Sequence, residues 1–168
     1  MNKNHFYIYI LALCLIQVLI NNFLNFSHLL YISLLPLAVF CLPGKQVSIP
    51  SLILTFLMGI IIDVTSNGVV GITSCALLLC VFLRPLILKL AYTDSFTSAG
   101  DDYLEEERLS KDMIISIALL CAIYFLVYCW IDSAGTLRWS YALLKWLYSF
   151  LSSTVLCVLI KSTIIKGR

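Results

Sequence analysis

Apolar residues gather into six stretches along the chain, roughly 6–20, 27–42, 49–63, 68–88, 113–131 and 141–160, with polar residues between them. Crossing the hydrocarbon of a bilayer as a helix takes ~20 residues, within a range of ~17–25. The last two stretches meet that length, the first two meet it with their flanks, and the third is short. The pattern predicts an all-α integral membrane protein, a six-helix transmembrane bundle forming one domain over residues 1–168. Residues 89–112 would form its largest loop.

Small and polar residues inside these stretches recur at four-residue intervals, which places them on single helix faces. Ser51, Thr55, Gly59 and Asp63 make one such face, and small residues there let helices approach closely. Past Asp63, the run Thr65, Ser66, Asn67 and Gly68 predicts a tight polar turn, with Asn and Gly suited to positive φ. Gly71 and Cys75 give the next stretch a small face of its own. Stretches three and four therefore read as a close-packed hairpin. A carboxylate at mid-membrane costs ~2.5–3.5 kcal/mol on insertion scales, so it needs a partner or water. Asp63 either caps the turn by accepting backbone N–H groups, or serves a cation, a proton or a partner's basic residue.

The sixth stretch carries Tyr141, Lys145, Ser149, Ser153 and Cys157, a polar-to-small stripe that predicts a face turned toward protein. Lys145 either snorkels outward or pairs with Asp63 or Asp132. Gln17 and Asn21 lie one turn apart and read as glue between helices. Tyr124 and Tyr128 read as packing or as cavity lining.

Composition sharpens the class. The chain is 61 % hydrophobic and only 12 % charged, against about 25 % charged in a soluble domain. Nine of the eleven basic residues fall at the ends of the stretches that share one side: Lys3, Lys45, Arg84, Lys89, Arg108, Lys111, Lys161, Lys166 and Arg168. The positive-inside rule then places both termini in the cytoplasm. The N-terminus has the polarity of a signal peptide without a small-residue cleavage site and reads as a retained first span. Seven of the nine acids lie in the polar segment 93–112, either a solvated linker or a docking loop for a cytoplasmic partner. Asp101 or Asp102 is placed to cap a helix leading into the fifth stretch. Arg84-Pro85 is expected to close stretch four at the inner face, proline ending the helix and arginine anchoring at the headgroups.

Candidate chemistry is sparse. Seven cysteines lie in or beside apolar stretches without a CxxC and read as packing residues. Nothing resembles a nucleic-acid footprint, a GxSxG, an HExxH or a Walker loop. His5 and His28 fall near opposite faces, and Asp132 has no motif that would pair it with Asp63 as an aspartyl protease requires. No catalytic residue, cofactor or metal is expected.

The hairpin sequence FLMGIIIDVTSNGVVGITSCALLLCVFLRP (56–85) resembles the core of the rod shape-determining protein MreD family. Members show a Gly-rich apolar helix, an Asp, a Ser/Gly turn, a further glycine step and another helix. Gly59, Asp63, Gly68 and Gly71 match those positions, and FLRP at 82–85 is similar to the form in Bacteroidetes members. LIQVLINN at 15–22, the apolar segment with Pro36 and the total length also fit. Thr73 departs, standing where many members carry histidine, so a role resting on that histidine does not transfer. The resemblance implies a non-enzymatic component of the bacterial inner membrane that scaffolds peptidoglycan synthesis during cell elongation. Implied partners are a bitopic MreC-like protein, with MreB, RodA and a class B penicillin-binding protein. It also implies a bundle resembling the substrate-binding subunits of energy-coupling-factor transporters. A vitamin-binding subunit of that kind is the alternative, with Tyr124, Tyr128, Asn67 and Trp139 as candidate pocket residues.

Overall fold

The computed structural model describes residues 3–23, 30–42, 47–67, 70–92, 110–133 and 139–166. They form α1 (Lys3–Phe23), α2 (Leu35–Phe40), α3 (Ile49–Ile62), a π-helical turn (Asp63–Asn67), α4 (Ile72–Ala91), α5 (Lys111–Ser133) and α6 (Trp139–Lys166). The architecture is all-α, and α4, α5 and α6 are each long and apolar enough to cross a membrane. Helices α3, α4, α5 and α6 pack in chain order, each on the next. The short α2 sits against α4 and α5, while α1 packs on α2, α3 and the π turn.

Each helix is two-faced, and α6 shows why. Leu143, Leu147, Leu151, Val155 and Leu159 recur every four residues and are all exposed, forming an apolar wall suited to hydrocarbon. Offset by two residues, Ser149, Ser153, Cys157 and Lys161 are all buried. A helix repeats every 3.6 residues, so the two sets occupy opposite faces.

The second apolar stretch departs from expectation. A helix over 27–42 is expected, but among its described residues 31–34 are irregular and only Leu35–Phe40 is helical. All six residues of α2 are buried. Backbone that leaves the helix inside an apolar bundle must find its hydrogen bonds in neighbouring protein. Here α6 and α1 supply them. The N–H of Tyr31 donates to Ser149 Oγ at 3.0 Å and that of Ser33 to Ser153 Oγ at 3.0 Å. Cys157 Sγ donates to the Ser33 carbonyl at 3.8 Å. From the other side, Gln17 Oε1 accepts the Leu34 N–H at 2.7 Å and Gln17 Nε2 donates to the Ile32 carbonyl at 3.0 Å. The irregular run thus descends α6 one turn at a time, along 149, 153 and 157. Replacing Ser153 by valine strands a buried N–H, which costs about 1–3 kcal/mol. Ser153→Val is therefore expected to unfold at lower denaturant, whereas Leu151→Val, on the lipid-facing side, leaves the midpoint nearly unchanged.

Arg84 and Pro85 require a correction. Helix α4 runs through Pro85 to Ala91, and Arg84 is only 3 % exposed. Proline removes the N–H that would serve the Val81 carbonyl but does not end a helix whose neighbours hold it in place. Arg84 turns inward because α2 ends beside it. Its Nη2 donates to the Phe40 carbonyl at 3.3 Å and to the Leu42 carbonyl, groups that the end of α2 leaves without helical partners.

Candidate functional site: the Asp63 hairpin

The local sequence builds a tight crossing. Pro50 stands in the first turn of α3, where a missing N–H costs nothing, and Ser51 Oγ accepts the Ser48 N–H at 3.2 Å. Ser51, Thr55, Gly59 and Asp63 are all buried and line the face toward α4. Thr55 Oγ1 donates back to the Ser51 carbonyl, which satisfies the hydroxyl within its own helix. At Gly59 the approach is closest. A Cβ there would lie 2.5 Å from Ser74 Cα, 2.6 Å from its Oγ and 2.9 Å from its N, so only glycine lets the backbones meet.

One turn further, Asp63 reaches across. Its carboxylate is completely buried. Oδ2 accepts the N–H of Gly71 at 2.8 Å, the N–H of Ser74 at 3.3 Å and the Ser74 hydroxyl at 3.3 Å. Oδ1 accepts the Thr73 N–H at 3.1 Å. These backbone groups are the donors that the start of α4 leaves without helical partners. The positive end of the helix dipole favours a carboxylate there. The side chain comes from outside α4, because the residue flanking it is Gly71, at φ 111°. That conformation excludes an ordinary capping side chain but returns the chain onto α3.

The hairpin residues singled out by sequence thus divide. Gly59, Asp63 and Gly71 meet in one device with Ser74, a residue that the four-residue intervals do not single out. Asn67 closes the π turn; its side chain and Gly68 lie outside the described residues. The only positive φ among the described residues is at Gly71; Asn67, one of the two positions expected to suit it, does not take it, and Gly68 is not described. Thr73 is buried and contributes its backbone N–H rather than its side chain.

The remaining polar groups at this end of the bundle form a second network. Gln17 Nε2 donates to Asn21 Oδ1 at 2.8 Å, and Asn21 Nδ2 donates to the Tyr31 hydroxyl at 3.2 Å. The Tyr31 ring stacks on Tyr128, centroids 4.5 Å apart, and Tyr124 lies 6.1 Å beyond. Lys145 pairs with Asp132 at 2.6 Å and stands 5.9 Å over the Tyr128 ring. Of the two acids expected as its partner, Asp132 is the one it meets. With side chains 16 % and 31 % exposed, this pair contributes about 1 kcal/mol at most. Lys145→Gln is expected to shift thermal stability by only a degree or two, an effect that salt diminishes. The side chains of His5 and Trp139, and the segment 93–109, lie outside the described residues. The seven cysteines are free thiols, and the described residues include no group of metal-ligating side chains.

No protein-family model, curated protein or solved structure matches the chain.

Proposed function

We propose that this chain is a non-enzymatic scaffold of the bacterial inner membrane. It crosses the membrane six times with both termini in the cytoplasm, and it holds a bitopic MreC-like protein and the peptidoglycan synthases of cell elongation. In this reading, α1, α3, α4, α5 and α6 make five crossings and segment 30–42 makes the other.

The observation that carries the reading is the coincidence at 59–74. The stretch that resembles the MreD family is also the stretch where Gly59, Asp63 and Gly71 interlock with α4. A carboxylate committed to four donors is suited to fixing a surface for partners, and the exposed side of α3, with Ile53, Leu57 and Ile61, is the surface it fixes. Depletion tests the reading: rod-shaped cells should round and swell as the protein falls. Cells that keep their width and length without it would contradict the proposal.

The alternative, a substrate-binding transporter subunit, draws on the interrupted second crossing and on the Tyr31–Tyr128–Tyr124 stack. Broken helices line the substrate sites of many transporters. A vitamin ligand at 100 times its Kd would stabilise the purified protein by about 2.7 kcal/mol.

A further inference from the structure

Gly59 and Ser74 fix the register of α3 against α4, because the two backbones meet there. From that point, α3 traced backward and α4 traced forward lead to the same end of the bundle, but not equally far. Ile49, where α3 begins, lies ten residues before Gly59, and Ala91, where α4 ends, lies seventeen past Ser74. At 1.5 Å per residue, α4 continues ~10 Å beyond α3. Asp63 holds the opposite ends level through the N–H groups of Gly71 and Thr73, so the whole difference falls on one side.

The outward surfaces differ in the same way. Ile49, Ile53, Leu57 and Ile61 on α3, with Val64 in the π turn, form an exposed apolar wall. The residues that flank it, Ser48 and Thr65, are polar and exposed. From Ile49 to Val64 the wall is ~22 Å tall, well short of the ~30 Å of a bilayer's hydrocarbon. On α4, Leu86 and Leu90 are exposed and lie past the level of Ile49. A flat bilayer cannot meet both walls. If its surface reaches Leu90, Ser48 is drawn into hydrocarbon; if it stops at Ser48, Leu86 and Leu90 stand in water. Mismatch of this kind is met by thinning the bilayer beside the shorter wall.

We propose that the α3 face takes phospholipids with short acyl chains, which thin one leaflet beside Ile49. The inference rests on the membrane-spanning reading alone and is independent of what the protein scaffolds or carries. In the scaffold account, a partner helix docking on α3 displaces this lipid and relieves the strain, since mismatch drives helix association.

The test places a nitroxide label at Ile49→Cys, Phe82→Cys or Leu90→Cys, all exposed positions. The full-length chain carries Cys41→Ser and Cys75→Ser, which removes the two thiols that are not buried. In dioleoylphosphatidylcholine bilayers, collision rates with oxygen and with a water-soluble nickel complex give each label's depth. The expected result is a deep Phe82 label, with Ile49 and Leu90 at nearly equal, shallow depths although they stand ~9 Å apart along the bundle. An Ile49 label ~9 Å deeper than the Leu90 label means a flat bilayer and overturns the proposal. Spin–spin broadening with lost oxygen contact at Ile49 also overturns it, because a second copy then covers the face. A Phe82 label that is not deep defeats the membrane-spanning reading itself, and the proposal with it. Given equal amounts of dimyristoleoyl and dieicosenoyl phosphatidylcholine, the wild type should retain the shorter lipid in native mass spectrometry. Should a labelled variant not fold, that preference decides, and equal retention of the two lipids overturns the proposal.

Discussion

Gly59→Leu is expected to yield almost no folded protein. The first atom added at Gly59 would lie 2.5 Å from Ser74 Cα, a backbone atom that has no rotamer by which to retreat. Helices α3 and α4 must therefore part, and parting them pulls Asp63 away from the start of α4. Overpacking of a dense core costs about 1–3 kcal/mol when side chains can give way, and here the obstacle is main chain. Gly59→Ala already meets it, so alanine's helix preference of roughly 1 kcal/mol over glycine does not reverse the sign. The measurement is the fraction recovered as a monodisperse species from membranes, with Gly71→Ala as a comparison. Nothing lies within 4 Å of a Cβ at Gly71, and the cost there is the left-handed backbone alone, about 1–2 kcal/mol. Equal recovery of Gly59→Leu and wild type would mean that the α3–α4 crossing is not as close as described.

Asp63→Ala should destabilise the protein by at least about 3 kcal/mol, since each buried donor left unmet costs about 1–3 kcal/mol. It abandons three N–H groups and one hydroxyl at once. Asp63→Asn keeps one oxygen acceptor but turns an NH₂ group toward donors, and should fall between alanine and wild type. Asp63→Glu keeps both oxygens but displaces them by a methylene in a closed site, and should also lose stability. Unfolding midpoints of the purified variants check the order wild type, Asn, Ala. An Asp63→Ala variant as stable as the wild type would contradict the capping role.

Much of this hairpin was legible because its signals are local. A four-residue interval names a helix face whatever that face meets, so Ser51, Thr55, Gly59 and Asp63 could be grouped before their partner was known. The stripe on α6 was legible in the same way from Ser149 to Cys157, although Tyr141 at its start is exposed, but what it serves was not. The run at 31–34 is apolar except for Ser33, and apolar content is the same for a membrane helix and for a buried irregular segment. What distinguishes them is whether distant side chains satisfy the backbone, as Gln17, Ser149 and Ser153 do. Pro36 was the available signal, since proline favours the first turn of a new helix and cannot supply the N–H that continues an earlier one. Arg84 was misplaced for a related reason. An arginine near the end of an apolar stretch ordinarily reaches the headgroups, and only the neighbouring end of α2 gives it a reason to turn inward.

The most direct test of the scaffold account is to recover the tagged protein from native membranes in mild detergent and identify what accompanies it by mass spectrometry. The account predicts an MreC-like bitopic protein together with RodA and a class B penicillin-binding protein, and a marked loss of all three in any folded Asp63 or Gly59 variant. Recovery of a transport ATPase and its membrane partner, with no elongation protein above background, would contradict it.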